Sequence, residues 1–364
     1  MKYPVVIIGA GLSGLYTASL LSEKGVDCRV LEARDRIGGR ALSIPHPNNS
    51  ELGNFDLGAT WFWPQFENTI TQLIEKLNLE TFVQYNKGSM LAEQTINESP
   101  RRFEIPNNSH SISMRFKDGV QSLIYAIADS LPAELIEVNK KVTKMSLVEE
   151  DHIKVEIVLS NGEREFIFAS AVILALPPRI VKEHIEFSPS LPDNLISEMI
   201  NKPTWMAGQA KFIAIYDEPF WREDELSGFV SSWVGPLQEI HDASPETGSG
   251  ALFGFVGIPA KVRQQITKDE MTEMIVDQLI RLFGSSAQNI KEMIYKDWSE
   301  EYETAVEADW EPLRSFPQYG PLAVTEAWQK KIIFASTETD AQFGGHLEGA
   351  LRSAKRAASE IIEK

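Results

Sequence analysis

The chain has 364 residues, with 35 lysines and arginines against 52 aspartates and glutamates, so its formal net charge is −17. This surplus of acid argues against nucleic acid or an anionic membrane as the main partner, because both bind clustered Lys and Arg. Cys28 is the one cysteine, which excludes an intrachain disulfide and a cysteine-based zinc site. Apolar runs are too short for a membrane-spanning helix or a signal peptide. We therefore expect a cytoplasmic protein of about two domains, with no metal site.

The first forty residues have the pattern of a dinucleotide-binding unit. Val5-Val6-Ile7-Ile8 has the composition of a buried parallel strand and runs directly into Gly9-Ala10-Gly11-Leu12-Ser13-Gly14. A helical pattern follows, and a second strand, Cys28 to Leu31, ends at Glu32. In this setting the glycines allow a tight turn, a close approach of amides to a pyrophosphate, and close packing of helix on strand. Glu32 is placed to accept hydrogen bonds from a ribose.

A second glycine pair follows in Arg36-Ile37-Gly38-Gly39-Arg40. Two backbone amides and an arginine charge suit a second pass along the same pyrophosphate. Taken alone, the segment also fits a solvated turn with surface arginines. The fingerprint by itself does not decide between a nicotinamide and a flavin.

The middle of the chain is less specific. Phe55 to Pro64 mixes small residues with aromatics, which suits either the wall of a flat ligand or a core loop anchored by large rings. Lys87 to His110 is polar and predicts a loop or an edge strand. Alternating apolar residues from Val142 to Phe168, with a turn at Asn161-Gly162, predict an antiparallel meander. Ala171 to Leu176 predicts a buried parallel strand that returns the chain to the first sheet.

Lys211 stands in an alternating strand pattern between Met206 and Trp221. Strand geometry puts it on the same face as Ile213 and Ile215. A lysine on an apolar face either lies at a sheet edge and extends its ammonium to water, or is held beside a cofactor. The local pattern alone favours the sheet edge.

Near the C-terminus, a short strand from Lys331 to Ala335 is followed by the polar turn Ser336-Thr337-Glu338-Thr339. Gly344-Gly345 then precedes a helix that begins near His346. This arrangement offers a second helix N-terminus to a ligand. For a flavin, the amides and the helix dipole would stabilise the negative charge that develops on the reduced ring, and Glu338 would bind ribityl hydroxyls.

Taken in order, these motifs resemble the flavin-containing amine oxidase family, which includes monoamine oxidases, polyamine oxidases and L-amino-acid oxidases. The resemblance covers almost the whole chain. It is carried by the Gly9-to-Gly14 fingerprint, Glu32, Arg36 to Arg40, Asp56 to Trp61, Lys117-Asp118-Gly119, Ala175 to Pro178, Lys211, Glu218 to Trp221, Asp297-Trp298 and Phe334 to Ala350.

Together, the elements and the resemblance predict an α/β fold, with a Rossmann-type FAD-binding domain and an antiparallel meander interleaved with a smaller α+β substrate domain. Residues 1–79, 115–200 and 301–364 are assigned to the FAD-binding domain, and 80–114 with 201–300 to a substrate domain of reduced size.

The resemblance assigns FAD contacts to Gly9, Gly11, Ser13, Gly14, Glu32, Ala33, Arg34, Gly39, Arg40, Gly58, Ala59, Thr60, Trp61, Val142, Ser336, Glu338, Gly345, His346 and Leu347. Lys211 matches the family's lysine that holds a water at flavin N5, which reverses its interpretation as an edge residue. Trp298 and His346 are the other catalytic candidates.

The implied reaction is hydride transfer from the α-carbon of a small neutral amine to flavin N5, giving an imine, with O₂ then reoxidising the flavin to yield hydrogen peroxide. The main alternative is an FAD-dependent desaturase or protoporphyrinogen-type oxidase, which has no need of Lys211. Another is a non-catalytic flavin-binding protein that serves a partner protein. A nicotinamide-only dehydrogenase has no use for the C-terminal motif. The oligomeric state is not predicted.

Three departures from the family bear on the site. Counting forward from Trp298 puts Glu307 where monoamine oxidases have the cysteine bound covalently to flavin, so we expect non-covalent FAD and an acidic group that favours a polycationic amine. Their two cage tyrosines correspond to Ala308 and His346, and His346 either contacts substrate or has only a structural role. Lys87 to Met114 stands where relatives have a large helical block. This predicts a more open site for a bulky or tethered amine.

Overall fold

The computed structural model describes residues 3–104, 112–148 and 152–363, so the end of the predicted loop, from 105 to 110, lies outside the described residues. The helices are α1 (Leu12–Glu23), α2 (Asn68–Lys76), α3 (Gln121–Asp129), α4 (Pro178–His184), α5 (Asp193–Ile200), α6 (Ala260–Arg263), α7 (Lys268–Phe283) and α8 (Leu347–Ile362). Among the described residues, no helix is long and apolar enough to cross a lipid bilayer.

The strands fall into five sheets within the described residues. In chain order they are β1 (Val5–Ile8), β2 (Cys28–Leu31), β3 (Ser43–Pro45), β4 (Asn54–Asp56), β5 (Thr81–Val83), β6 (Ser89–Glu93), β7 (Arg101–Glu104), β8 (Met114–Phe116), β9 (Ile136–Glu137), β10 (Lys140–Leu147), β11 (Ile153–Leu159), β12 (Arg164–Ala169), β13 (Ala171–Leu174), β14 (Glu186–Ser188), β15 (Ala210–Tyr216), β16 (Leu226–Ser232), β17 (Leu237–Asp242), β18 (Gly250–Val256), β19 (Glu292–Asp297) and β20 (Ile332–Phe334).

A five-stranded parallel sheet has the order β20–β13–β1–β2–β9, which confirms the predicted parallel strands. The β1 strand is buried on both faces because helices cover one side and the meander covers the other. Val5 and Ile7 belong to a core cluster with α1, α3 and α8. Val6 and Ile8 belong to a second cluster that includes the meander strands. The sheet is therefore the middle of three layers.

The predicted meander is confirmed as the antiparallel strands β10, β11 and β12, with the short β14 added in parallel beside β10. The turn at Asn161-Gly162 joins β11 to β12. Gly162 has a φ of 84°, in the left-handed region that glycine adopts at little cost, and its N–H donates to the carbonyl of Leu159 at 2.9 Å.

A seven-stranded sheet has the order β19–β15–β18–β17–β16–β6–β7, and all its strands come from the ranges assigned to the substrate domain. The prediction for Lys87 to His110 was partly wrong, because β6 pairs on both sides and only β7 is an edge strand. Helix α7 packs on one face, against Phe212, Ala214 and Tyr216. The other face, with Ile213 and Ile215, packs against Phe55 and Leu57 near the parallel sheet. The fold is thus the predicted interleaved α/β arrangement.

Candidate active site

A cavity of about 400 Å³ lies where the carboxyl ends of the parallel strands meet. Residues directly after β1, β2, β13 and β20 line it, and loops from the seven-stranded sheet close its far side. In open parallel sheets this edge is the usual place for a ligand, since several loops converge there. The cavity therefore joins the two sheets of the molecule.

The cavity brings together most of the residues that the sequence predicts for a site. All three catalytic candidates line it, namely Lys211, Trp298 and His346. So do these predicted cofactor residues: Gly9, Gly11, Ser13, Glu32, Arg34, Gly39, Arg40, Gly58, Ala59, Thr60, Trp61, Ser336, Gly345 and Leu347. Four predicted cofactor residues do not line it: Gly14, Ala33, Val142 and Glu338.

The glycine turn after β1 has the close backbone packing expected of a phosphate-binding turn. A Cβ atom on Gly14 would lie 1.9 Å from the carbonyl oxygen of Gly9, so only glycine lets α1 approach the turn. A Cβ atom on Gly11 would meet its first neighbour, the Gly38 carbonyl oxygen, at 3.9 Å. Gly11 thus leaves open space beside the N-terminus of α1, where a phosphate is stabilised by amides and by the helix dipole.

Two polar groups at this end fit a bound dinucleotide. The Glu32 carboxylate is buried and accepts from the amides of Ala10 at 2.8 Å and Arg34 at 3.0 Å, so it is held rigidly at the end of β2. Ser336 is buried on the cavity wall, and its hydroxyl has no hydrogen-bond partner in the described chain. A buried polar atom without a partner is costly, and a ligand oxygen would satisfy it.

Arg40 and Glu338 are engaged with each other, which differs from their predicted separate contacts to a pyrophosphate and a ribityl chain. Arg40 donates to both carboxylate oxygens, at 2.6 and 3.1 Å, and Glu338 is fully buried. The Trp205 amide donates to the same carboxylate at 3.2 Å. The reason is electrostatic, because a buried carboxylate needs a charged partner. Arg40 still lines the cavity, whereas Glu338 lies behind it.

Three other positions also differ from expectation. The Val142 side chain is buried in the meander core with Leu31, so it lies outside the cavity. Glu307 and Ala308 are exposed on a short 3₁₀ turn and do not line it either. Counting from Trp298 fails because the intervening segment turns away, and Glu303 and Thr304 reach the cavity instead. The expected acidic group beside the substrate is therefore not supplied by Glu307.

Lys211 is buried on β15, an interior strand of the seven-stranded sheet with β19 and β18 on either side, so the sheet-edge interpretation is wrong. Its ammonium donates to the Asp56 carbonyl at 2.7 Å and to the Thr60 hydroxyl at 2.8 Å. It also lies 3.9 Å from the centre of the Phe253 ring. Burial lowers the pKa of Lys211 to about 7, against the opposing charge of Asp56.

Large aromatic side chains form the walls at the Lys211 end. Trp298 is buried and donates its indole N–H to the Leu57 carbonyl at 2.9 Å. Trp61 donates to the Gln84 side chain at 2.8 Å. Trp205 and Phe255 also line the cavity, although no sequence motif indicated them. Phe255 pairs with Lys211 across β15 and β18, a relation that appears only once the strand register is known.

His346 lies at the N-terminal end of α8 and lines the same cavity, next to the Trp63 ring. Its Nδ1 atom is 2.9 Å from the buried carboxylate of Glu67. Gly345, directly before it, has a φ of 88°, and a Cβ atom there would lie 2.7 Å from the Trp205 ring. The turn into α8 therefore requires glycine at this position.

The profile of the family described as "Flavin containing amine oxidoreductase" matches residues 100–362. The chain belongs to this family. A second profile, described as an NAD(P)-binding Rossmann-like domain, matches residues 7–77 and coincides with the glycine turn. The protein is therefore an FAD-dependent oxidoreductase of the amine oxidase type, and the glycine turn, Glu32 and Ser336 fit that cofactor.

Relatives cover almost the entire chain. Amine oxidase [flavin-containing] B of Sus scrofa is 26% identical over 99% of this chain and 86% of its own length. The human enzyme of the same name is 24% identical over the same shares. The alignment with the Sus scrofa protein has 460 positions against 364 residues here, so at least 96 positions have no counterpart in this chain. This family member is distinctly shorter than those relatives.

Solved structures show the same fold. Putrescine oxidase bound to putrescine has a TM-score of 0.78 at 21% identity, and the match covers 100% of both chains. Cyclohexylamine oxidase from Brevibacterium oxydans IH-35A has a TM-score of 0.81 at 19% identity, covering 100% of this chain and 99% of that one. At such identities the likeness establishes the fold of this amine oxidase family member and nothing finer.

Proposed function

We propose that the protein oxidises a small-molecule amine to an imine by hydride transfer to N5 of non-covalently bound FAD, with O₂ as the acceptor that returns the flavin to its oxidised state and yields hydrogen peroxide. The observation that carries this proposal is the buried ammonium of Lys211, held at the cavity wall beside Thr60. FAD supplies the electron-accepting chemistry, and the protein supplies binding, orientation and electrostatics.

The residues around Lys211 fix one side of the site. Its ammonium bonds tie β15 to the loop that carries Gly58, Ala59 and Thr60. A Cβ atom on Gly58 would lie 1.8 Å from the Arg40 carbonyl, so glycine lets this loop lie flat against the second glycine pair. With a pKa of about 7, Nζ of Lys211 is able to hold or release a proton near neutrality. That property suits a group that controls a water at the reacting position.

The aromatic walls support a neutral or weakly polar substrate nitrogen. Trp61, Trp298 and Phe255 line this part of the cavity, and an ammonium ion loses hydration on entering a space lined by aromatic rings. The names of the relatives, flavin-containing amine oxidases, and the neighbouring putrescine oxidase support an amine as the substrate class. The shorter chain supports a more open entrance and hence a bulky or tethered amine. The acidic composition and the short apolar runs support a cytoplasmic location.

Anaerobic mixing with monoamines, polyamines and amino acids tests the proposal. At least one amine should bleach the visible flavin band, and air should restore it with release of peroxide. Lys211→Met should keep FAD but reduce the rate of bleaching about a hundredfold or more, as for loss of a group that handles a proton. Lys291→Met is the matched control, because Lys291 is an exposed lysine paired with Asp217 away from the cavity.

Two outcomes would favour the alternatives. Unchanged bleaching in Lys211→Met would support a desaturase or protoporphyrinogen-type oxidase, which has no use for that lysine. A flavin that no amine bleaches would support a binding protein without catalysis. Buried Lys211 argues against both, since a charged group in this position costs stability unless it serves the site.

A further inference from the structure

The end of the cavity near α8 contains a carboxylate–imidazole pair that the reaction above does not use. His346 lines the cavity with its side chain one-third exposed (33%), and Glu67 lies behind it with 1% of its side chain exposed. Nδ1 of His346 and Oε1 of Glu67 are 2.9 Å apart. His346 is therefore the solvent-accessible member of the pair and faces the cavity, whereas Glu67 is the buried member.

The contact with Glu67 favours the tautomer of His346 that carries its proton on Nδ1. The second oxygen of Glu67 accepts from the amide of Trp63 at 2.8 Å, which holds Oε1 toward Nδ1 of His346. An acceptor at Nδ1 requires that Nδ1 carry the hydrogen, which leaves the lone pair on Nε2. Within the part of the chain that the structure describes, Nε2 forms no hydrogen bond. Nε2, the ring nitrogen of His346 that lies farther from Glu67, is thus the atom of the pair that is free to accept a proton.

The pair is held by the meeting of two helix N-termini. Glu67 directly precedes α2, and His346 directly precedes α8. Glu348, in the first turn of α8, is buried and accepts from the amides of Thr69 and Ile70 at 3.1 and 2.9 Å, which joins the two helix ends. Amides and dipoles at such ends satisfy carboxylates. This junction positions Glu67 and His346 relative to each other. It uses no hydrogen-bonding atom of either side chain beyond those already named.

The surroundings of Nε2 favour transfer of a proton from an ammonium group. The rings of Trp63 and Phe343 flank His346, with centroids 5.7 and 6.3 Å away, so a cation beside it loses part of its hydration. Desolvation weakens an ammonium ion's hold on its proton, and an ionised carboxylate behind an imidazole strengthens the imidazole as an acceptor. Other charged groups nearby are Glu348, buried at the helix junction, and Arg352, which lies over Phe343 and pairs with Asp340, while Lys211 lines the same cavity.

We propose that Glu67 and His346 form the proton acceptor of this amine oxidase: Nε2 of His346 takes the proton of the bound substrate ammonium, which leaves the neutral amine that is competent for oxidation. This inference rests on the proposed function and adds the group that prepares its substrate. An N–H bond of the ammonium breaks, an Nε2–H bond forms, and the electron pair stays on the substrate nitrogen. The imidazolium then loses its proton to solvent on its exposed side. His346 is the catalytic residue, and Glu67 is a positioning residue.

The test compares two amines that differ in basicity. Stopped-flow flavin reduction at neutral pH is measured with an accepted primary amine and with its β,β,β-trifluorinated analogue, whose nitrogen is largely neutral in solution. His346→Asn, which keeps a donor toward Glu67, should lower the rate about a hundredfold for the parent amine. For the fluorinated amine the loss should be small, because no proton has to be removed. Glu67→Gln should show the same pattern more weakly.

Glu348→Gln is the matched control, because it disturbs the same helix junction without touching His346. It should lower thermal stability while slowing both amines equally. An equal loss for both amines in His346→Asn and Glu67→Gln would overturn the proposal and leave the pair a structural link. If the unaltered protein is reduced by neither amine, the proposed function fails instead, which is a distinguishable result.

Discussion

The cavity has two ends, and the chain builds them in different ways. The end at the glycine turn comes from consecutive elements, β1, α1 and β2, within residues 5–34. The opposite end is assembled from Trp61, Lys211, Trp298 and His346, which belong to four separate parts of the chain. Backbone atoms and glycines dominate the first end, whereas large side chains dominate the second. A change at the first end therefore acts through packing, and a change at the second acts through chemistry.

This difference explains how a short family member keeps its cofactor end. The glycine turn depends on contacts between neighbouring segments, so it tolerates the loss of at least 96 aligned positions elsewhere. The opposite end depends on where the seven-stranded sheet and α8 place their side chains. Substrate preference is expected to differ from that of longer relatives at this second end, while dinucleotide binding stays the same.

The largest effect is expected for Gly14→Ala. The added Cβ atom would lie 1.9 Å from the Gly9 carbonyl oxygen, and neither backbone segment is able to move without disturbing the parallel sheet. We expect destabilisation of about 3 kcal/mol or more, with little folded protein and no bound flavin. Urea unfolding and the flavin absorbance of the purified protein measure both consequences.

Gly11→Ala is the matched comparison within the same turn. Its Cβ atom would meet nothing closer than 3.9 Å, and Gly11 has a φ of −75°, which alanine adopts freely. This variant should fold normally but bind FAD more weakly, because the methyl group occupies the space for the phosphates. A Gly11→Ala protein with unchanged FAD affinity would contradict the position assigned to the pyrophosphate.

The first end of the cavity was also the more predictable from sequence. Val5 to Gly14 and Glu32 lie close in the chain, so the strand–turn–helix pattern directly implies their geometry. The second end depended on long-range pairing. The burial of Lys211 follows from the position of β15 between two strands, and the Arg40–Glu338 pair joins segments 298 residues apart. Neither the burial of Lys211 nor the Arg40–Glu338 pair can be recognised from neighbouring residues in the sequence. The position of Glu307 outside the cavity shows that counting residues along a loop does not predict such long-range contacts.

Glu338→Gln tests the contact that links Arg40, beside the second glycine pair, to the turn that follows β20. Glu338 is fully buried and receives two hydrogen bonds from Arg40. The substitution leaves the Arg40 charge without its partner, so we expect a loss of about 3 kcal/mol in the free energy of unfolding. Arg179→Gln is a comparison at another buried carboxylate, Asp309, that does not line the cavity. If Glu338→Gln weakens FAD binding and Arg179→Gln does not, the Arg40–Glu338 pair supports both ends of the cavity.

Lys211 should make stability depend on pH. Its folded pKa of about 7 lies below the ordinary value of 10.5, so between these values the unfolded chain binds more protons and stability rises with pH. From pH 7 to pH 9 the free energy of unfolding should increase by about 2 kcal/mol more in the unaltered protein than in Lys211→Met. Urea titrations at the two pH values measure this difference. Parallel behaviour of the two proteins would mean that Lys211 keeps its ordinary pKa.

The smallest effect is expected for Cys28→Ala, which tests whether the flavin is bound without a covalent bond. Cys28 begins β2 and is buried in the core beneath the helices, and burial raises the pKa of its thiol to about 11. The cavity lies at the other end of this strand, about 13 Å away at the usual rise per residue. The sequence contains no other cysteine. We expect a loss of about 1 kcal/mol from the small void and no change in flavin content.

Acid precipitation of either protein should release the yellow colour to the supernatant. Colour retained in the pellets of both proteins would show a covalent bond to a residue other than cysteine. Colour retained only in the pellet of the unaltered protein would show a bond between Cys28 and the flavin ring.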